Sequence, residues 1–289
     1  MKKKICVVGA SGLVGSHIVK EALERNYFVN GTVTKSINDE SYKGLSSLKN
    51  YNNLNLFSSD MDQIDSLNDP FSDCDVIYIA CLIPIFKGID GTLANHLTME
   101  EGYKQIILPT VKGCLNILQK AKDMKIKNVI ICSSTSSVNP SYKVEVKNEV
   151  IHWSDEVEQC NKKKFTSAAK TYMEKAAFEF CKINKIRLSI ILPTGLYGSL
   201  ILKKHMKHNP FKWIKNALEG GYPRHEVIPN DSISYINLDD LSKMFLLCYE
   251  NESASGRYFG VNESLHWYDI YEKCKFIIPN MKFPKKFSG

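Results

Sequence analysis

Close to its start the chain reads Lys4-Ile5-Cys6-Val7-Val8, then Gly9-Ala10-Ser11-Gly12-Leu13-Val14-Gly15, then a helical pattern. A short β-rich apolar run feeds a turn with glycines at 9, 12 and 15, and the turn opens a helix. That order is what a nucleotide pyrophosphate needs. Gly9 allows the tight turn, Gly12 lets the backbone approach the phosphates, and Gly15 lets the helix lie close to the strand. N–H groups at the helix start then face the anion, with the helix dipole behind them. The turn predicts a dinucleotide site drawing on Gly9, Ser11, Gly12, Leu13, Val14 and Gly15.

The rest of the chain agrees with such a beginning. Strand-like runs at residues 5–8, 28–33, 54–57, 75–80, 129–132 and 187–192 alternate with helical patterns. The helices are expected near 14–25, over 101–122 with a kink or break at Pro109, and over 165–184. Alternation of this kind implies right-handed βαβ units and a doubly wound parallel sheet with helices on both faces, an α/β fold of Rossmann type. Beyond about residue 197 the pattern changes. Helical stretches near 200–219 and 239–250 are separated by Gly220-Gly221-Tyr222-Pro223-Arg224-His225, and two short segments, 256–259 and 265–281, finish the chain. Residues 1–196 are therefore expected to form the dinucleotide-binding domain. Residues 197–289 are expected to form mainly a small C-terminal substrate lobe, with 236–260 returning toward the core.

Composition removes several function classes. No apolar run approaches the roughly 20 residues that span a bilayer. The basic, then apolar N-terminus is like a signal peptide, but its apolar run is short, glycine-broken and needed for the nucleotide turn. A cytoplasmic protein is expected. The nine cysteines, at 6, 74, 81, 114, 132, 160, 181, 248 and 274, form no C-x-x-C pair and mostly lie in apolar runs. They read as free core thiols, without a disulfide framework or a metal site. Thirty-eight Lys+Arg against 31 Asp+Glu give a net charge of +7. The clusters at Lys2-Lys3-Lys4, Lys162-Lys163-Lys164 and Lys285-Lys286 lack a basic helix interleaved with aromatics, so no nucleic-acid partner is expected.

Cofactor choice follows from the end of the second strand. A site for NAD wants a carboxylate there to accept from the ribose hydroxyls. The chain has Thr32-Val33-Thr34-Lys35-Ser36, with no carboxylate before Asp39. Lys35 suits a 2′-phosphate, with Thr34 and Ser36 as donors, so NADP is favoured over NAD.

Several segments together resemble the extended short-chain dehydrogenase/reductases (NAD-dependent epimerase/dehydratase-like), above all the dihydroflavonol-4-reductase-like group. Beside the glycine turn they include Asp60, Cys74-Asp75-Val76-Ile77-Tyr78, and Pro109-Thr110-Val111-Lys112-Gly113-Cys114-Leu115-Asn116. Further on come Cys132-Ser133-Ser134, Trp153-Ser154-Asp155, Lys170 with Glu174-Lys175-Ala176-Ala177, Leu192-Pro193-Thr194, Asp239-Asp240 and Gly256-Arg257-Tyr258. The resemblance implies an NADPH-dependent reductase of an aldehyde or ketone, a monomer or a homodimer paired through helices 101–122 and 165–184. It also implies cofactor contacts from Asp60, Met61, Ala80, Lys170 and Pro193.

Chemistry in that family needs a tyrosine, a lysine four residues later, and a serine at a strand end. Four-residue spacing puts tyrosine and lysine on one helix face. The ammonium lowers a phenol pKa from about 10, so that the tyrosine passes a proton to the nascent alkoxide. Here Glu174-Lys175-Ala176-Ala177 sets the register and makes Lys170 the lysine, and the residue four earlier is Thr166. Tyr172 follows Lys170 by two residues, about 200° round the helix, and pairing it with Lys175 breaks the register. Ser134 is the expected serine, with Thr135 as its rival. Asn139 and Tyr197 are expected to contact substrate. Tyr197, His205, His208, Trp213, Tyr222, Arg224 and His225 make the 197–235 stretch a candidate substrate face, and His205 with His208 lacks a third metal ligand. The expected catalytic set is thus Ser134, Thr166 and Lys170, with Thr166 or a bound water relaying the proton. A catalytically impaired NADP-binding sensor or interaction protein is the alternative, and a nucleotide-sugar epimerase or dehydratase ranks below it.

Overall fold

The alternating apolar runs become one parallel sheet in a computed structural model that describes residues 3–80, 86–208 and 211–286. Cys81 and Pro84, the latter read as bounding the fourth strand, lie outside the described residues. The first six strands are β1 (Lys4–Val8), β2 (Phe28–Val33), β3 (Leu54–Ser58), β4 (Val76–Ile79), β5 (Asn128–Cys132) and β6 (Arg187–Pro193). Two further strands, β7 (Gly195–Tyr197) and β8 (Ser232–Asn237), pair in parallel and leave the main sheet. The chain then returns through β9 (Gly256–Gly260), which pairs with β6, and ends its strands with β10 (Glu263–His266) against β8. The main sheet has the order β3-β2-β1-β4-β5-β6-β9, every neighbour parallel.

Strand order reverses between β1 and β4, so their carboxyl ends open the crevice where such sheets hold ligands. The glycine turn leaves β1 at that point and Ala80 directly follows β4 there, its N–H donating to the Val8 carbonyl at 3.1 Å. Period-two alternation sorts β1 between two cores. Ile5 and Val7 pack with Ile18, Leu241 and Phe245, and Cys6 and Val8 pack with Ile117, Leu118, Met173 and Ala177. Helices Leu13–Glu24 and Leu238–Glu250 therefore cover one face, and helices Leu108–Asp123 and Phe165–Asn184 the other.

Three segments differ from the sequence reading. The expected helix over 101–122 is a capped turn at Met99–Gly102, a π-helical turn at Tyr103–Ile107 and an α-helix from Leu108. Pro109 does not break the rod. Its ring would meet the carbonyl four residues back in a continuous α-helix, and the wider π turn removes that clash. The stretch near 200–219 contains a 3-10 turn at Lys203–Lys207 and an α-helix at Phe211–Leu218, with 209–210 outside the described residues. The small sheet β10-β8-β7 was not anticipated. No helix among the described residues is long and apolar enough to cross a membrane.

Candidate active site

Only glycine fits at position 15: a Cβ there would lie 2.1 Å from the Gly9 carbonyl oxygen. Gly9 itself has φ +81°, and Gly12 closes the turn by donating to the Gly9 carbonyl at 2.9 Å. Thr32 on β2 steadies the turn, accepting from Gly9 N at 3.1 Å through its hydroxyl and from Ala10 N at 2.9 Å through its carbonyl. The helix that follows carries no acidic residue in its first turn, and Gly12 provides no side-chain cap. Its leading N–H groups, from Leu13 and Val14 onward, are thus left for an anion, and the cradle fits a pyrophosphate.

The loop after β2 is more balanced than its sequence suggested. Lys35 Nζ lies 3.1 Å from an Asp39 carboxylate oxygen, while Asp39 also caps the 3-10 turn Glu40–Ser47 by accepting from Ser41 N at 2.9 Å. Hydrogen bonds from Ser41 and Lys35 hold the Asp39 carboxyl down at about 2. Thr34 precedes this pair directly. Beyond β3, Asp60 is exposed and fixed by Ser66, whose hydroxyl accepts from Asp60 N at 3.0 Å. Met61 is anchored by Asn116, which donates to its carbonyl at 2.9 Å.

At the end of β5 two adjacent residues are held by two residues one turn apart on the helix Phe165–Asn184. Lys170 Nζ donates to the Cys132 carbonyl at 3.2 Å, and the Ser133 hydroxyl donates to Glu174. The helix register thereby brings Lys170 to the strand end from which Ser134 projects. Ser134 caps the short turn Thr135–Ser137, accepting from Ser136 N at 3.2 Å, and both Ser134 and Thr135 are half-buried. Thr166 lies on the Lys170 face one turn earlier, half-buried. Tyr172 instead packs against the cluster of Leu97, Ile106 and Phe165, and burial raises its phenol pKa.

Beneath the serine turn is an ion pair that sequence reasoning missed. Arg257 on β9 lies 3.0 Å from Glu174, and it donates to the Ser137 hydroxyl at 2.9 Å, to the His152 carbonyl at 2.8 Å and to the Glu149 carbonyl at 2.9 Å. Its guanidinium also covers the Trp153 ring at 3.6 Å. Burial pushes the Glu174 carboxyl up, against the pull of the guanidinium. The signal in the sequence was a charge inside an apolar run on each element, but nothing paired them.

The other predicted residues divide. Asn139 is exposed, its N–H donating to the Ser154 hydroxyl at 2.8 Å and its side chain accepting from Lys147. Pro193 closes β6 opposite Gly260. The residues of the 197–235 stretch do not share one face. Tyr197 and Trp213 meet edge to face at 6.3 Å and line an apolar cavity of about 370 Å³ with Ile233, Tyr235 and Ile270. Tyr222, Arg224 and His225 line a separate polar one of about 420 Å³. His205 turns to the glycine turn, its Nε2 3.1 Å from the Ser11 carbonyl, and its ring lies 5.7 Å from that of His208. Among the described residues no group of three or more His, Cys, Asp or Glu is placed to hold a metal ion.

The sequence profile of the NAD dependent epimerase/dehydratase family matches residues 5–261. The chain is 31% identical to anthocyanidin reductase of Arabidopsis thaliana over 267 residues, 89% of this chain and 75% of that protein. It is 29% identical to dihydroflavonol 4-reductase of Callistephus chinensis, over 99% of this chain and 76% of the relative. Vestitone reductase from alfalfa (Medicago sativa) superposes with a TM-score of 0.76 at 24% identity, covering 98% of this chain and 84% of that one. Yeast methylglyoxal/isovaleraldehyde reductase Gre2, solved with NADPH, gives 0.79 at 20% identity, covering 99% and 86%. These superpositions show a shared fold.

Proposed function

The chain belongs to the NAD dependent epimerase/dehydratase family, and from that premise we propose that it reduces an aldehyde or ketone with NADPH. The observation that carries the reading is the convergence of Lys170 and Ser134 at the end of β5, beside the crevice that the glycine turn opens. Relatives named as reductases and a fold shared with an enzyme solved with NADPH support it.

A bound nicotinamide dinucleotide supplies the hydride. Gly9, Ser11, Gly12, Leu13, Val14 and Gly15 would hold its pyrophosphate, Thr34 and Lys35 its adenosine phosphate, and Asp60, Met61, Ala80 and Pro193 would line the remainder. Ser134 holds the substrate carbonyl oxygen by its hydroxyl, with Thr135 beside it. Lys170 places an ammonium at the same point, orienting the ribose and stabilising the oxygen as it gains negative charge. Asn139 and Tyr197 orient the substrate, within a lobe that comprises mainly residues 197–289. The proton reaches the alkoxide from Thr166 or from a water held by it. An aliphatic hydroxyl is a far weaker acid than a phenol, so this step is the slow one.

The experiment follows NADPH oxidation against aromatic and aliphatic aldehydes and ketones, with wild type beside Thr166→Tyr. General acid catalysis is worth about 10²–10⁴-fold, and the tyrosine variant is expected to gain a rate within that span over a slow wild type. A fast wild type that gains nothing would mean that another acid has replaced the phenol. A silent wild type that nonetheless binds NADPH would favour the second reading, an NADP-binding sensor, for which Thr166 is the supporting residue.

A further inference from the structure

The 3-10 turn Lys203–Lys207 comes from the second half of the chain, yet its buried residue, His205, ends on the glycine turn. The Ile201 carbonyl just before it packs so closely on Gly44 that a Cβ there would lie 2.1 Å away, which fixes the approach of the segment. His205 Nε2 lies 3.1 Å from the Ser11 carbonyl oxygen; since that oxygen only accepts, Nε2 carries the proton. Burial lowers the pKa of the ring to about 4, so at neutral pH the imidazole is uncharged and Nδ1 is a bare acceptor. Nδ1 is itself buried and meets no donor among the described residues. His205 thus leaves one polar atom unsatisfied in the core, while its Nε2–H is spent on the backbone of the turn. An unmet buried acceptor is unfavourable, so packing alone would be better served by an apolar side chain.

We propose that His205 is a positioning residue for the dinucleotide: from the second half of the chain it holds the glycine turn in the form that receives a pyrophosphate. The inference rests on the reading of this turn as a dinucleotide site. The Ser11 carbonyl shares its peptide unit with the N–H of Gly12. That N–H donates to the Gly9 carbonyl at 2.9 Å, so the turn itself fixes one end of the unit, and His205 fixes the other. The Gly12 carbonyl then accepts from Ser16 N at 2.9 Å as the helix begins, and Gly12 offers that helix no side-chain cap. The unit so held directly precedes the N–H groups of Leu13 and Val14 that are left for the anion. His205 is about 1% exposed, so it acts through Ser11 and does not touch the cofactor. A turn whose Ser11 carbonyl is released spends part of its time in other forms, and the apparent affinity falls with the fraction that stays competent.

The test titrates NADPH, ADP and 2′-AMP into wild type, His205→Gln and His205→Leu, and follows hydrogen exchange over residues 9–16 without ligand. Glutamine keeps an N–H where the histidine Nε2–H stands, and leucine fills the space without a donor. A hydrogen bond of ordinary strength shifts an equilibrium about two- to tenfold, so His205→Leu is expected to weaken NADPH and ADP by that factor and to speed exchange in the turn. His205→Gln should keep the wild-type affinity. The ligand without a pyrophosphate, 2′-AMP, should bind all three proteins alike, which also shows that the variants are folded. An unchanged NADPH affinity in His205→Leu overturns the positioning role and leaves the cofactor reading in place. So does an equal loss for 2′-AMP, or a loss in His205→Gln as large as in His205→Leu, either of which marks a general packing defect. If wild type binds neither NADPH nor ADP, the cofactor reading itself fails and the positioning role fails with it.

Discussion

Arg257 and Glu174 carry opposite charges on side chains only 2% and 0% exposed. Taking two such groups out of water is unfavourable unless each finds the other and its remaining polar atoms are satisfied. Here the guanidinium spreads over Ser137, Glu149, His152 and the Trp153 face, and the carboxylate takes the Ser133 hydroxyl. The pair thus fastens β9, the helix Phe165–Asn184 and the serine turn at one point. Removing one partner strands the other charge in the core, so Arg257→Met or Glu174→Met alone should cost about 3–5 kcal/mol. The double variant Glu174→Met/Arg257→Met replaces both charges by apolar groups and should recover most of that loss. Urea unfolding of the three variants decides the matter. A double variant as unstable as the sum of the singles would show that the two residues act on their other partners and scarcely on each other.

At the scale of elements, the glycine turn is the least substitutable piece of the fold. Gly15→Ala drives a methyl into the Gly9 carbonyl, with Ala10 Cα only 3.1 Å away, and backbone on both sides leaves nothing soft to move. Overpacking of this kind costs about 1–3 kcal/mol. Because the strain falls on the turn proposed to hold the pyrophosphate, NADPH affinity should drop as well; a variant that keeps both its melting temperature and its NADPH affinity would remove the turn from the site. This element was legible because everything that defines it lies within a dozen residues. The same holds for Phe165–Asn184, whose residues 165–184 were read with the observed bounds, and for Lys170, placed by spacing along one helix. The small sheet was not legible. Its strand β7 has three residues and follows Pro193 after a single threonine, so no periodicity can develop, and its pairing with β8 is made across more than thirty residues of chain. Arg257 escaped for the same reason. Its nearness to Ser137 is a product of β6–β9 pairing, which no local pattern encodes. The π turn before Pro109 is a third case: sequence announces that the α-helix cannot continue unchanged, but not which way the backbone yields.

Two buried histidines bind the N-terminal half of the molecule to the rest. His17, on the first helix, reaches Asp239 at 3.1 Å and the Ser199 carbonyl at 3.0 Å, while His205 reaches back to Ser11. Both are about 1% exposed. Burial lowers the pKa of each, His205 to about 4, and for His17 it outweighs the opposing pull of Asp239. An unfolded histidine titrates near 6.5, so between pH 6.5 and 4 the unfolded chain binds protons that the folded one refuses. Stability is then fully present above about 6.5 and is lost as pH falls toward 4. For His205 alone, 2.5 pH units at about 1.4 kcal/mol each give a loss of roughly 3.5 kcal/mol. Asp39, held at about 2, adds its own loss only at lower pH, so the two contributions separate along the axis. The melting temperature should be level above pH 7 and fall steadily from 6.5 to 4, and His205→Gln should flatten that limb by keeping an amide where the proton would go. If the decline begins only below pH 4 in the wild type, the histidines do not hold the two halves in the neutral state described, and carboxylates alone govern the acid limb.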